Sequence, residues 1–392
     1  MLSNFFKSLQ RDTAGKKYLP FVDGIRFLAI MPVVILHANE RFQRYVINTE
    51  QMASWENELS YLISRGAIGV MIFFALSGFI LSLPFAKQQS TFSYKTYLKR
   101  RLTRLEPPFI FWMTVFGIVL LFKSNIELAE LAKHYVASLF YVHNISFGEF
   151  SVINPVAWSL EVEIQYYLLA PFIAIFYFRL EDIKSRRALL LSLTTLFIIY
   201  QHLFGWQYLP IRASILGQFQ HFLVGMLMAD VFVNDSKWHN IKSYGYDLLG
   251  LTSILLMMFT WTEELGKSLL FMVGLIGFFT SCLKGRLFYK FLTLQWVAII
   301  GGMCYTIYLT HLPMLELIYT VIGKFGYSSP YWLQLSISLI VTIPVILFSS
   351  MIFYKYIEQP FMSRDAFGQM KRSWLGIVKF LKGQHSLKAE QK

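Results

Sequence analysis

The sequence predicts an all-α fold, a polytopic transmembrane helical bundle of about ten spans with both termini cytoplasmic. Three observations predict it. The chain is 55% hydrophobic and 17% aromatic with only 15% charged residues, and its mean hydropathy of +0.48 is too apolar for an ordinary soluble globule. Runs long enough to cross about 30 Å of hydrocarbon recur at 21–39, 66–84, 105–122, 156–178, 188–205, 215–233, 246–262, 268–283, 292–320 and 332–354. Basic connections at Lys7–Lys17, Lys95–Arg104, Arg179–Arg187, Lys237–Lys242, Lys284–Lys290 and after Lys355 all fall on one side of such a bundle, which the positive-inside rule makes the cytoplasm. Because several runs are short, about eight or eleven crossings remain open. Residues 1–354 form the membrane-embedded domain and 355–392 a basic cytoplasmic tail.

The first run comes after a basic, polar N-terminus and is not succeeded by a small-residue cleavage site, which reads as a retained span. Arg26 and His37 interrupt it, and eleven helical residues rise roughly 16 Å in about three turns, so both project from one face. Ionisable groups in a span mark a substrate or proton path. The alternative is that Arg26 snorkels inward while His37 rests at the outer surface. The next stretch, 40–64, lies outside and carries Glu40, Glu50, Glu56 and Glu58. Gly69, Gly78, Gly301 and Gly302 permit close helix approach.

The connection YLKRRLTRLEPPF gathers Lys99, Arg100, Arg101 and Arg104 at the inner mouth of the third span, with Pro107 and Pro108 setting that helix's start. Arg101 and Arg104 share a face that can clamp a phosphorylated ligand, against the plainer reading of positive-inside bias. LAKHYVASLFYVHN is apolar but too short to span, which suggests a partial or re-entrant helix. In NPVAWSLEVEIQYYLL, Glu161 and Glu163 lie about 200° apart around a helix and cannot share a space. Ser159, Glu163 and Tyr166 or Tyr167 make one polar stripe, able to orient a histidine or to hold two helices together. Tyr305, Tyr308 and His311, three apart, line one face of the ninth span, where His311 can pair with a carboxylate, bind substrate or pack. The tail carries WLGIVKFLK (374–382), read as an amphipathic segment on the inner leaflet.

Several classes are set aside. The formal charge of +13 forms no basic stripe with interleaved aromatics, so no nucleic-acid partner is expected. Cys282 and Cys304 make neither a zinc site nor a disulfide framework. His202, His221 and His239 share no ligand spacing, and no metal or permanently bound cofactor is expected. No glycine-rich phosphate loop, Ser-His-Asp order, paired-cysteine motif, lipidation box or fixed repeat is present, and no long polar segment could hold a second globular domain.

Taken in order, FVDGIRFLAIMPVVILHA, GVMIFFALSGFIL, KRRLTRLEPPF, NPVAWSLEVEIQYY, IGGMCYTIYLTHLP and YKYIEQPF resemble the acyltransferase-3 family of integral-membrane acyltransferases. The resemblance covers most of the chain. It implies an enzyme of the bacterial inner (plasma) membrane that moves an acyl group, acetyl above all, from acyl-CoA to an envelope glycan or small-molecule acceptor. It also implies His37 as catalytic base with Arg26 its partner, Arg101 and Arg104 as donor-binding residues, and Glu163 as the glutamate following Trp158 and Ser159. Ser159, Tyr305, Tyr308 and His311 are expected to line a cavity. Two departures stand out: relatives often append an extracytoplasmic hydrolase-like domain that is not found here, and Glu106 beside Arg104 is placed to neutralise part of the basic mouth.

The expected reaction is O-acyl transfer, with neutral His37 taking the acceptor proton directly or through an acyl-histidine intermediate. Glu163 or another carboxylate would fix the imidazole tautomer, and Arg26 would stabilise negative charge on donor or intermediate. The alternatives are a transporter exporting a glycan precursor or acyl compound along Arg26, His37 and His311, and a non-catalytic scaffold. No inverted repeat is visible to support the transporter. The segments 40–64 and 123–155 are expected to select the acceptor.

Overall fold

The computed structural model describes residues 9, 18–47, 49–87, 92–235, 238, 241–325 and 329–362. The tail segment 374–382, His239 and most of the basic N-terminus lie outside the described residues. Helices account for nearly all of the regular structure, and among the described residues the one β feature is an isolated bridge between Ser243 and Gly285. The α-helices are α1 (Pro20–Tyr45), α2 (Ser54–Ser64), α3 (Ile68–Ala86), α4 (Tyr94–Lys123), α5 (Leu128–Leu139), α6 (His143–Phe147), α7 (Trp158–Phe178), α8 (Ile183–Leu203), α9 (Ile215–Asn234), α10 (Tyr244–Thr260), α11 (Leu265–Lys284), α12 (Arg286–Leu292), α13 (Gln295–Gly302), α14 (Cys304–Ile322) and α15 (Tyr331–Phe353).

All ten apolar runs are helical, but they are not equally fit to cross a bilayer. Among the described residues seven helical stretches are long and apolar enough, and an eighth is added if the bent pair α13–α14 counts as one. α8 opens on Lys184, Arg186 and Arg187, and α10 has only 17 residues, so these two fall outside that set. Large apolar side chains face outward along the bundle, among them Phe122, Phe176, Val273, Ile340 and Phe348. A surface this apolar suits lipid and not water. The chain is an integral membrane protein.

α1 is the axis of the structure. It packs against α3, α13 and α14, and glycines set the approach: a Cβ at Gly69 would lie 2.1 Å from the Ala29 carbonyl oxygen, and one at Gly301 1.8 Å from that of Asp23. Neither position tolerates a side chain without moving backbone, which is how small residues bring membrane helices together. On one side of α1 a core built on Phe21, Ile25, Phe79, Phe109 and Phe278 joins α3, α4, α7, α9 and α11. On the other, Ile30, Val34, Phe42, Ile307, Tyr319 and Tyr331 join α14 and α15.

Two expectations are corrected and a third gains detail. Pro107 and Pro108 do not start a helix, because α4 begins at Tyr94, capped by the Ser93 hydroxyl, and runs through both prolines. The prolines leave the carbonyls of Thr103 and Arg104 without their usual donors but do not end the helix, and Arg101 and Arg104 are residues of that helix about one turn apart, as their shared face requires. The run 292–320 is not one straight span: it bends by 68° between α13 and α14, at Met303 just after the Gly301–Gly302 pair. The segment 131–144 is two short helices, α5 and α6, broken where Tyr141 takes a left-handed backbone (φ 57°).

Candidate active site

Two contiguous chambers lie where α1, α3, α7 and α14 meet. The larger, about 110 Å³, takes Arg26 from α1, Ser77 from α3, Arg101 and Arg104 from α4, Glu163 and Tyr167 from α7, and Tyr305 from α14. The smaller, about 40 Å³, holds His37 and His311 beside Trp158. Val70, Phe73, Ser159 and Tyr308 line both and so form the partition between them. Arg26 and His37 each line a chamber from the same helix, the placement that their one-face spacing predicts.

The basic chamber is organised by pairing. Arg26 donates to Asp23 one turn earlier, a carboxylate only 2% exposed. Arg101 lies over the rings of Tyr97 and Tyr167, 6.0 and 5.7 Å from their centroids, close enough for cation–π attraction. Arg104 stands 3.7 Å from Glu358, which is fully buried and accepts from both the backbone N–H and the hydroxyl of Thr306. Glu358, 254 positions away in sequence, is thus an acidic neighbour of Arg104 that the sequence does not point to. Glu163 accepts from Ser77 Oγ at 2.5 Å and from Tyr167 OH at 2.6 Å. Glu161, on the other side of α7, accepts from the backbone and side-chain nitrogens of Asn144, so the two glutamates occupy separate surroundings as their angular separation requires.

The histidine chamber has a different chemistry. His37 Nδ1 lies 2.8 Å from a Glu40 carboxylate oxygen one turn on. A carboxylate only accepts, so this bond places the ring proton on Nδ1 and leaves Nε2 of the neutral ring free to accept. The carboxylate that orients His37 is therefore Glu40, and Glu163 instead serves the arginine side. His311 is fully buried, its Nδ1 within 2.9 Å of the Ile307 and Tyr308 carbonyls. Its ring centroid lies 5.3 Å from that of His37. In the partition, Tyr308 OH donates to the Val156 carbonyl and accepts from Ser159 Oγ at 3.1 Å. Tyr305 OH donates to the Leu105 carbonyl at 2.7 Å, tying α14 to α4.

Glu40, Ser77 and Glu358 belong to the site although the sequence does not single them out as site residues. Glu40 stands at i, i+3 from His37, but a hydrocarbon span is complete by residue 39 and places it in the outer stretch; α1 continues to Tyr45. Ser77 and Glu358 lie within the quoted stretches GVMIFFALSGFIL and YKYIEQPF, but no local spacing gives either a role. His202 and His221 lie elsewhere, the first near Ser268 and the second bonded to the Gln218 carbonyl. Among the described residues no cluster of His, Cys, Asp or Glu is arranged to hold a metal, and both cysteines are free.

The model of an acyltransferase domain family, acyltransferase-3, matches residues 19–351. The chain belongs to the acyltransferase-3 family. An O-acetyltransferase OatA of Staphylococcus aureus is 26% identical over 391 residues, covering 91% of this chain and 59% of the relative. A peptidoglycan O-acetyltransferase OatA of Listeria monocytogenes is 34% identical over 191 residues, 45% of this chain and 27% of the relative. A putative O-acetyltransferase of S. aureus is 22% identical over 381 residues, 88% of this chain and 57% of that protein. The chain thus spans less than two thirds of the length of these acyltransferase-3 relatives. No solved structure matches it.

Proposed function

We propose that this chain is a membrane O-acyltransferase that takes an acyl group, most simply acetyl, from cytoplasmic acyl-CoA and passes it to a hydroxyl of an envelope glycan. The observation that carries the reading is the pair of contiguous chambers, one rich in arginine and the other holding two imidazoles, with a hydroxyl-bearing wall between them. Acyl-CoA is anionic and made inside, whereas envelope glycans are exposed outside. Two chambers of unlike chemistry meeting at one wall let such substrates react without sharing a compartment. The relatives named as O-acetyltransferases, one of them as acting on peptidoglycan, support the same class of reaction.

Arg101 and Arg104 would hold the donor's phosphates, with Arg26 adding positive charge deeper in the chamber. Arg26 turns toward Asp23, away from His37 along α1, which favours a role on the donor over one on the reaction intermediate. The thioester carbonyl would lie at the partition. His37 Nε2 removes the proton of the acceptor hydroxyl as its oxygen bonds to the carbonyl carbon. The carbon–sulfur bond then breaks, and the His37 imidazolium returns its proton to the departing thiolate. Glu40 stabilises the transient imidazolium. Ser159 and Tyr308 carry the hydroxyls in the partition and can turn from Val156 to the developing oxyanion.

The test supplies radiolabelled acetyl-CoA to the cytoplasmic side of oriented vesicles carrying wild-type or His37→Ala protein at matched levels, and traces label into glycans and lipids. Labelling by wild type that the variant loses supports acyl transfer through His37. Equal labelling by both, with donor and acceptor verified present, removes His37 from the mechanism.

A further inference from the structure

His311 is a buried group that takes no part in the proton transfers assigned to His37. Its Nδ1–H is committed to the carbonyls of Ile307 and Tyr308, at 2.9 Å each. The neutral ring therefore presents a bare Nε2, and that atom is buried with no partner. His37, fixed by Glu40 in the same tautomer, presents a second bare Nε2. The rings line one chamber of about 40 Å³ with their centroids 5.3 Å apart. This space exceeds the roughly 10–15 Å³ that one water-sized group requires. Both nitrogens accept hydrogen bonds and neither donates, so the chamber is complementary to a ligand carrying two donors. A single alcohol hydroxyl has one proton and satisfies one ring only.

We propose that His311 is an acceptor-binding residue whose Nε2 takes a hydrogen bond from a second hydroxyl or amide N–H of the acceptor, while the reacting hydroxyl donates to His37. This rests on the acyl-transfer reading of the site and adds to it a substrate class: multiply hydroxylated or amide-bearing acceptors, a sugar in preference to a simple alcohol. His311 keeps its proton on Nδ1 throughout and exchanges none with substrate. Its contribution is to register the acceptor against the thioester, and a site built to receive a hydrogen-bond donor discriminates strongly against ligands that lack one.

The experiment measures acetyl transfer from acetyl-CoA to two probes, chitotetraose and 1-butanol, by the full chain in lipid nanodiscs. Wild type is compared with His311→Phe, His311→Gln and His37→Ala. His311→Phe keeps an aromatic ring but removes the acceptor nitrogen; His311→Gln returns an amide oxygen near the position of Nε2. We expect His311→Phe to lower kcat/KM for the sugar by roughly tenfold to a hundredfold, the cost of leaving one buried donor unpaired. Its loss of kcat/KM on butanol should be several-fold smaller than its loss on the sugar, and His311→Gln should recover part of the sugar activity. Equal loss on both probes would make His311 a packing residue, and no loss on either would make it idle; each overturns the inference. Transfer by His37→Ala at the wild-type rate, or no transfer by wild type to either probe, would instead overturn the acyl-transfer reading on which the inference rests.

Discussion

Removing the Arg104 side chain separates two roles that its position supports. Glu358 is fully buried, and one of its carboxylate oxygens is occupied by the Thr306 N–H and hydroxyl, at 3.1 and 2.7 Å. The other faces Arg104 at 3.7 Å. Stripping one member from a buried ion pair costs ~3–5 kcal/mol because it strands the remaining charge. The long separation and the 22% exposure of the Arg104 side chain reduce this, to about 2–3 kcal/mol. Arg104→Ala should therefore destabilise the protein by that amount and weaken binding of acetyl-CoA by roughly ten- to a hundredfold, through loss of a charge-assisted contact to phosphate. Glu358→Gln keeps an oxygen for Thr306 and should cost only about 1 kcal/mol. The double variant Arg104→Ala/Glu358→Gln should be scarcely less stable than Glu358→Gln, yet bind acetyl-CoA as weakly as Arg104→Ala. Reversible unfolding in mixed micelles and calorimetric titration with CoA make the two readings on the same samples. Additive losses of stability would show that Arg104 is not the counter-charge of Glu358, and wild-type affinity in either arginine variant would remove Arg104 from the donor site.

The same geometry sets further outcomes. His37→Ala should lower turnover by about 10²–10⁴-fold, the range of general-base catalysis, with the folded yield unchanged. Glu40→Gln should lower kcat by roughly tenfold or more by removing the charge that stabilises the imidazolium, with KM for acetyl-CoA unmoved; a change confined to that KM would place Glu40 on the donor side. Gly78→Ala puts a methyl 2.1 Å from the Phe222 carbonyl oxygen and should cost about 1–3 kcal/mol or prevent accumulation. Gly117→Ala, where nothing lies within 4 Å, is the matched control and should fold as wild type does.

What the sequence discloses divides along the range of each interaction. The Arg26 and His37 placement is legible because helical rise and angle alone fix it. So is the separation of Glu163 from Glu161, since successive odd positions in a helix cannot face one way. His37–Glu40 is equally local, and it is hidden because hydrocarbon thickness, not helix length, sets the expected end of the first span. The misplaced start of α4 comes from the preference of proline for a first turn; a capping serine 14 residues before Pro107 starts the helix instead. The bend at Met303 has a signal in Gly301–Gly302, but its size depends on how α13 lies against α1, which no periodicity encodes. Arg104–Glu358 and Ser77–Glu163 join distant parts of the chain, and one sequence carries no pattern that pairs them. The helical class is legible from composition together with the lengths of the apolar runs.

In the proposed reaction donor binding and acceptor chemistry occupy different chambers. The most direct test is calorimetric titration of CoA into wild-type, Arg101→Ala/Arg104→Ala and His37→Ala proteins, each checked to be folded, alongside acetyl transfer by the same preparations. The arginine variant should lose CoA affinity and transfer together, whereas His37→Ala should bind CoA as wild type does while transferring acetyl about 10²–10⁴-fold more slowly. Loss of CoA binding in His37→Ala, or its retention in the arginine variant, would contradict the division.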